Sequence, residues 1–165
     1  MTLEELYERY FARIYNYIRY RVIARDVADD LVSAVFEKVA DKYGSYDPKR
    51  HGLEPWLFAI ARNTLNDHFR RRKVRGWFTI TDREEEIASA DSVEGSACRN
   101  EDNARLLSAL ASLTDAEREL ISMKFTLEMT NRDIAAQTGI GESNVGVILF
   151  RAMRKLRDIL GPENI

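Results

Sequence analysis

The sequence predicts an all-helical protein: two small helical domains joined by a flexible acidic linker, the second containing a helix-turn-helix. Three observations predict it. Apolar residues recur at three- and four-residue steps on both sides of residues 76–102, and no strand-like alternation appears anywhere. The charge is unevenly divided, with a balance of +4 over residues 1–75, −6 over 76–102 and zero over 103–165, which the net charge of −2 conceals. Residues Asn131 to Phe150 carry small, glycine and apolar residues where two helices crossing at a tight turn need them.

Taken in order, Leu3, Leu6, Tyr7, Tyr10, Phe11, Ile14, Tyr17, Ile18 and Val22 form the apolar stripe of a first helix. Asp26 offers an N-cap to a second, with Asp29 and Asp30 in its first turn, where the helix dipole favours carboxylates. Val27, Leu31, Val35 and Val39 are its buried stripe, and Gly44-Ser45-Tyr46-Asp47-Pro48 ends it. A loop through Lys49-Arg50-His51-Gly52 leads to a third helix from about Pro55 to Lys73, where proline suits the first turn. Residues from 76 to about 100 lack sustained periodicity and read as a flexible linker, within which a short frayed helix is an alternative. Helical pattern returns with Leu106, Leu107, Leu110 and Leu113, and Thr114-x-x-Glu117 fits a capping box for a helix bearing Leu120, Ile121 and Phe125. Two more helices flank Gly139-Ile140-Gly141, and Gly161-Pro162 terminates the last. The organisation is therefore 1–75, linker 76–102, and 103–165.

Composition narrows the function classes. With 45% hydrophobic and 32% charged residues the 165-residue chain is a soluble globular type, and no apolar run approaches the ~20 residues that span a bilayer. The acidic, amphipathic start Met1-Thr2-Leu3-Glu4-Glu5 is unlike a secretory signal, so the expected location is the cytoplasm. A single cysteine, Cys98, excludes an internal disulfide. The two histidines, His51 and His68, are isolated, without metal-ligand spacing or a glycine-rich phosphate loop, and no catalytic residue, metal or cofactor is expected.

In the second half, Ile134 and Thr138 face inward, small Ala135 permits close approach, Gly139 supplies a positive φ, Ile140 plugs the turn, and Val145 and Ile148 anchor the next helix. A recognition helix presents its amino-terminal residues to base edges in the major groove. Here Glu142, Ser143, Asn144, Gly146, Val147 and Phe150 point outward. Ser143 and Asn144 can read bases, and Val147 or Phe150 can touch a thymine methyl. No Arg or Lys is placed for bidentate guanine contact, while Arg151, Arg154, Lys155 and Arg157 follow later for phosphates.

The third helix places Leu57, Ile60, Ala61, Thr64, Leu65 and His68 on one side and Trp56, Asn63, Asn66, Asp67 and Arg70 on the other. An indole, two amides and a guanidinium on one stripe suit unpaired bases, since aromatic stacking contributes about 1–3 kcal/mol per base and amides read Watson–Crick edges. Arg70-Arg71-Arg72-Lys73 adds charge for the strand; a packed Trp56 beside a solvated basic helix end is the plainer alternative. The polar face of the second helix, with Asp26, Asp29, Asp30, Ser33 and Glu37, is acidic and suits a basic protein surface rather than DNA.

Together these segments resemble a known family. Asp26-Val-Ala-Asp-Asp-Leu-Val-Ser-Ala-Val-Phe36 is similar to the polymerase-binding helix of the extracytoplasmic-function (ECF) sigma factors of bacterial RNA polymerase. Pro55-Trp-Leu-Phe-Ala-Ile-Ala-Arg-Asn63, with Asp67 and Arg70-Arg71-Arg72, resembles their minus-ten recognition helix. Leu110-Ala-Ser-Leu-Thr-Asp-Ala-Glu-Arg118 and the helix-turn-helix after it resemble their minus-thirty-five domain. The resemblance implies a sigma factor that directs promoter recognition and transcription initiation, without catalysis. Implied partners are promoter DNA, the β′ clamp and β flap of core RNA polymerase, and an anti-sigma factor; the free protein is expected to be a monomer. It further implies that the loop Lys49 to Glu54, including Arg50 and His51, forms part of a pocket that holds a flipped minus-ten base with Asn63, that Trp56, Asn66 and Asp67 also face the minus-ten element, and that Arg70, Arg71, Arg72 and Lys73 follow the strand. Arg132, Ser143, Asn144, Val147, Phe150, Arg151 and Arg154 would face the minus-thirty-five duplex, and Asp26, Asp29, Asp30, Leu31, Ser33 and Glu37 the polymerase. Four departures stand out: Ser33 and Ala34 replace a common glutamine and acidic residue, and Gly146 and Ile148 stand where many members carry Lys and Arg. A polymerase-independent helix-turn-helix regulator, which would bind duplex DNA as a dimer, is the main alternative.

Overall fold

The computed structural model describes residues 1–22, 24–50, 52–75 and 97–161. Among them the regular elements are helices: α1 (Leu3–Arg21), α2 (Arg25–Tyr43), α3 (Leu53–Arg75), α4 (Ala97–Ala111), α5 (Asp115–Phe125), α6 (Asn131–Thr138) and α7 (Glu142–Leu160). The first three form an amino-terminal bundle, with α1 and α3 both against α2; α4 to α7 form a second bundle built around α7.

Local chemistry fixes most helix starts. Thr2 caps α1 through a capping box with Glu5, Thr114 caps α5 through one with Glu117, and Thr130 caps α6 through one with Asp133. Each reciprocal pair satisfies two backbone donors that a helix start leaves open. Only the second box is the one read from sequence. The cap of α2 differs from expectation: the N-cap is Ala24, without a side-chain bond, and Asp26 lies inside the first turn. Buried Ala24 accepts from the amide of Ala28 at 3.1 Å, which starts the helix before Asp26 and leaves its carboxylate to act on the helix dipole.

The buried stripes follow the periodicity. Leu6, Tyr10, Ile14, Tyr17 and Ile18 of α1 meet Leu31, Val32, Val35 and Val39 of α2 and Leu57, Ile60, Ala61 and Leu65 of α3. In the second bundle Leu110, Leu113, Leu120, Ile121 and Ile134 close over Val145, Leu149, Ala152 and Leu156 of α7. α3 starts at Leu53, slightly before the predicted Pro55, and α4 starts at Ala97, inside the stretch read as linker. The remaining linker residues, 76–96, lie outside the described residues, as do His51 and Pro162.

One feature departs from the picture of two tethered bodies. α1 packs directly on α5, and the buried residues of both bundles form a single continuous cluster. Polar bonds flank this junction. The Arg62 Nε sits 2.9 Å from the Glu119 carboxylate, and its NH1 donates to the Gln137 carbonyl at 2.9 Å. Arg13 donates to the Glu54 carboxylate at 2.9 Å and also to the Leu127 carbonyl, and the Gln137 amide reaches the Pro55 carbonyl at 3.4 Å.

Candidate nucleic-acid interface

Two exposed surfaces carry the residues singled out for DNA, one on each bundle. On α3, the buried side is the predicted one, with Leu57, Ile60, Ala61, Thr64 and Leu65 covered and His68 half-buried. The opposite stripe is graded. Trp56 is half-buried, its ring 4.9 Å from that of Tyr46 and 6.5 Å from that of Tyr43, so its indole packs on the α2–α3 connection. Asn63 and Arg70 are exposed, and Asn66 and Asp67 half-buried. Arg70 and Asp67 form an ion pair of 2.9 Å one turn apart, and because the Arg70 side chain is 76% exposed its charge stays available to a partner. Arg71 and Lys73 are exposed and Arg72 is half-buried, extending the basic end of the helix.

The loop before α3 supplies the next part. Asp47 accepts from the Lys49 amide at 2.9 Å and pairs with Arg50 at 3.6 Å, an Asx-type turn that projects both cations outward. Arg50 is 80% exposed in its side chain, so that ion pair is loosely held and its charge stays available to a partner.

The helix-turn-helix consists of α6 and α7. Gly139 has φ of 75°, the left-handed conformation that the turn demands. Ile134 and Val145 are fully buried; Ala135, Ile140 and Ile148 are half-buried against the same core, and the Thr138 hydroxyl donates back to the Ile134 carbonyl at 2.7 Å. Ile148 therefore packs, as a generic helix-turn-helix residue does. Ser143, Asn144, Val147, Phe150, Arg151 and Arg154 are exposed along one side of α7, with Arg132 exposed on α6. Phe150 is 70% exposed, an apolar ring held in water with nothing to cover it among the described residues. Lys155 is otherwise engaged: its ammonium lies 2.7 Å from Glu117, below the cap of α5. Burial would raise the Glu117 carboxyl, but the Lys155 ammonium and the Thr114 hydrogen bonds outweigh it and hold the group below the ordinary carboxylate range.

The acidic face of α2 is also in place. Asp26, Asp29, Asp30, Ser33 and Glu37 are exposed, but Leu31 belongs to the core and presents no surface to a partner. It falls on the buried stripe with Ala28 and Val35, which is why it cannot share the polar face.

Sequence reasoning missed the residues that join the bundles. Arg21 is buried, with its guanidinium 3.7 Å from Glu119 and 5.1 Å from the ring centre of Phe69. Phe58, also buried, lies under Arg13 at 5.0 Å. The one available signal was the run Trp56-Leu57-Phe58, which gives α3 apolar residues on more than one side. Tyr17 is wholly enclosed next to the Arg21, Arg62 and Glu119 cluster, and burial pushes its hydroxyl up to about 12. Among the described residues no helix is long and apolar enough to cross a membrane, and no group of ligating side chains is placed to hold a metal ion.

Comparison with known proteins adds to this geometry. Residues 6–75 match the family model of sigma-70 region 2, and residues 103–156 that of sigma-70 region 4. The chain is 31% identical over 130 residues to the ECF RNA polymerase sigma factor SigF of Caulobacter vibrioides, covering 79% of this chain and 69% of that one. It is 29% identical over 155 residues to the ECF RNA polymerase sigma factor BldN of Streptomyces coelicolor, covering 94% of this chain but only 59% of BldN. In fold it is similar to the sigma factor RpoE of Bartonella quintana, solved in complex with the anti-sigma factor NepR, with a TM-score of 0.67 at 21% identity over 96% of this chain and 98% of that one.

Proposed function

This chain belongs to the ECF sigma factors, which direct RNA polymerase to promoters for initiation of transcription, and we propose that it does so through the two exposed surfaces just described. α3 and the loop before it hold the unpaired minus-ten strand, with Asn63 reading a base edge and Arg50, Arg70, Arg71 and Lys73 following the backbone. Trp56 serves as the packed wall of that site instead of a free stacking platform. α7 lies in the minus-thirty-five major groove through Ser143, Asn144, Val147 and Phe150, with Arg132, Arg151 and Arg154 on phosphates. The acidic face of α2 meets the polymerase clamp and the second bundle meets the β flap. The work is binding alone: flipping a base costs a few kcal/mol, which contacts to the captured strand can offset without ATP. A cytoplasmic location and control by an anti-sigma factor follow from this reading, since RpoE, its structural neighbour, is held by one.

The observation that carries the proposal is the exposure of Asn63 and Arg70 on the side of α3 opposite its core. The test is Asn63→Ala in holoenzyme reconstituted with core polymerase. Competition for core should be unchanged, while minus-ten thymine reactivity to permanganate should fall about tenfold, the loss of one base contact of about 1–3 kcal/mol. Opening equal to that of the unaltered chain would refute the assignment.

A further inference from the structure

The outer crest of α7 is apolar where a recognition helix meets the bases, and this bears on which bases are read; the inference rests on the minus-thirty-five reading of that helix. Ser143, Val147, Phe150 and Arg154 recur at four- and three-residue steps, so they form one line along the exposed side. The middle two are apolar, Val147 at 45% and Phe150 at 70% exposure. Folding gains nothing from apolar side chains left in water. Side chains in a helix lean toward its amino terminus, which sets the Phe150 ring over the turn that holds Gly146 and Val147. Gly146 brings no side chain to shield that ring, and a Cβ there would face Asn131 of α6, 3.7 Å from its Nδ2. The ring is thereby carried toward the end of α7 that a helix of this kind turns to the base edges.

Charge and size select what covers it. No Arg or Lys lies between Glu142 and Phe150, so the two-pronged contact to guanine O6 and N7 lacks its usual donor, and Ile148 packs against the core. The stretch presents instead the Asn144 amide, which matches adenine, and two apolar groups, which match the thymine 5-methyl. Arg132 on α6 and Arg151 and Arg154 on α7 are exposed and can hold the phosphates that flank such bases. The next exposed apolar side chain of α7, Ile159, is more than two turns away, so the crest is a pair of side chains and not a face of the size a protein partner needs. We propose that this chain selects its minus-thirty-five element by thymine 5-methyl groups, gripped by Val147 and Phe150, in place of guanine. Along the helix axis the two side chains are about 4.5 Å apart, against ~3.4 Å per base step, so they meet thymines on adjacent or next-adjacent pairs.

The test uses holoenzyme reconstituted from the full chain and core polymerase, with promoter DNA randomised over the minus-thirty-five region. Elements with two closely spaced thymines should be enriched. In an enriched element, deoxyuridine in place of thymine removes only the methyl and should weaken holoenzyme binding about fourfold for each methyl gripped. At the same positions 5-methylcytosine should bind better than cytosine by a similar factor. Val147→Ala with Phe150→Ala should bind the thymine element more weakly and no longer distinguish it from the deoxyuridine one. Equal binding of thymine and deoxyuridine, enrichment of guanine in place of the thymine pair, or a deoxyuridine penalty that survives in the double variant overturns the proposal. So does a double variant with unimpaired promoter binding, which would assign the exposed ring to a protein contact. Should the double variant lose helicity, the thymine and deoxyuridine comparison on the unaltered chain still decides. A library with no enrichment at all, while core binding holds, overturns the minus-thirty-five reading and the methyl contact with it; guanine enrichment overturns the methyl contact alone.

Discussion

Two glycines of the helix-turn-helix should respond to the same substitution with opposite signs. Gly139 closes α6 at φ of 75°, and a Cβ built there meets no atom within 4 Å. Steric clash is therefore absent, and Gly139→Ala costs only the left-handed backbone, about 1–2 kcal/mol. The stiffer unfolded chain returns about 0.4–1 kcal/mol of this, leaving a net loss of about 1 kcal/mol. Gly146 lies inside α7, and its added Cβ would be 3.7 Å from Asn131 Nδ2, an ordinary contact. Gly146→Ala should gain about 0.5–1 kcal/mol, because alanine gives up less backbone entropy in a helix. At this chain length 1 kcal/mol moves Tm by about 2–4 °C. Thermal unfolding followed by far-ultraviolet circular dichroism should thus fall by that amount for Gly139→Ala and rise by a smaller one for Gly146→Ala. Gly139→Asn should lie between Gly139→Ala and the parent, because asparagine tolerates the left-handed region. Equal signs for the two alanine variants, or a neutral Gly139→Ala, would refute the reasoning.

Two further effects depend on titration. Tyr17 has a folded-state value pushed to about 12 against an ordinary 10.0, so the folded chain retains its proton while the unfolded chain releases it. The stability this gives is complete below pH 10 and is lost as pH rises toward 12, a loss on the order of 2–3 kcal/mol; Tyr17→Phe should flatten that alkaline limb in urea titrations at fixed pH steps. Glu117 behaves oppositely, its lowered value giving stability that is present above the ordinary 4.5 and lost as pH falls through the folded-state value. Glu117→Gln should weaken that acid dependence while keeping most of the capping box, and Glu117→Ala should cost about 1 kcal/mol more at neutral pH; indistinguishable melting of the two variants would contradict the box.

The helices themselves were legible because their determinants are local. The i, i+3, i+4 stripes of α1 and α2, the Thr114–Glu117 box and Gly139 all act within a few residues, and each appears where the sequence placed it. Asp26 failed as a cap because Ala24, two residues earlier, is buried and already starts the helix, a tertiary fact with no local sign. Leu31 and Trp56 show the same limit from the side of the site. A motif tells which segment matters, whereas the angular phase of the helix decides which residues of that segment reach solvent. The junction of the bundles was least legible, since Arg13, Arg21 and Arg62 look like any basic residues of soluble helices until Leu127, Glu119 and Gln137 are brought against them.

The continuous core has a price during synthesis. The segment that covers α1 is α5, which begins forty residues after α3 ends at Arg75, at Asp115. At a translation rate of about 5–20 residues per second, the amino-terminal bundle waits for several seconds with the Tyr17 face of α1 open to its surroundings. A nascent chain in that interval presents an aromatic, arginine-lined patch to any protein near the ribosome exit, so the order of synthesis exposes this patch before the chain can cover it.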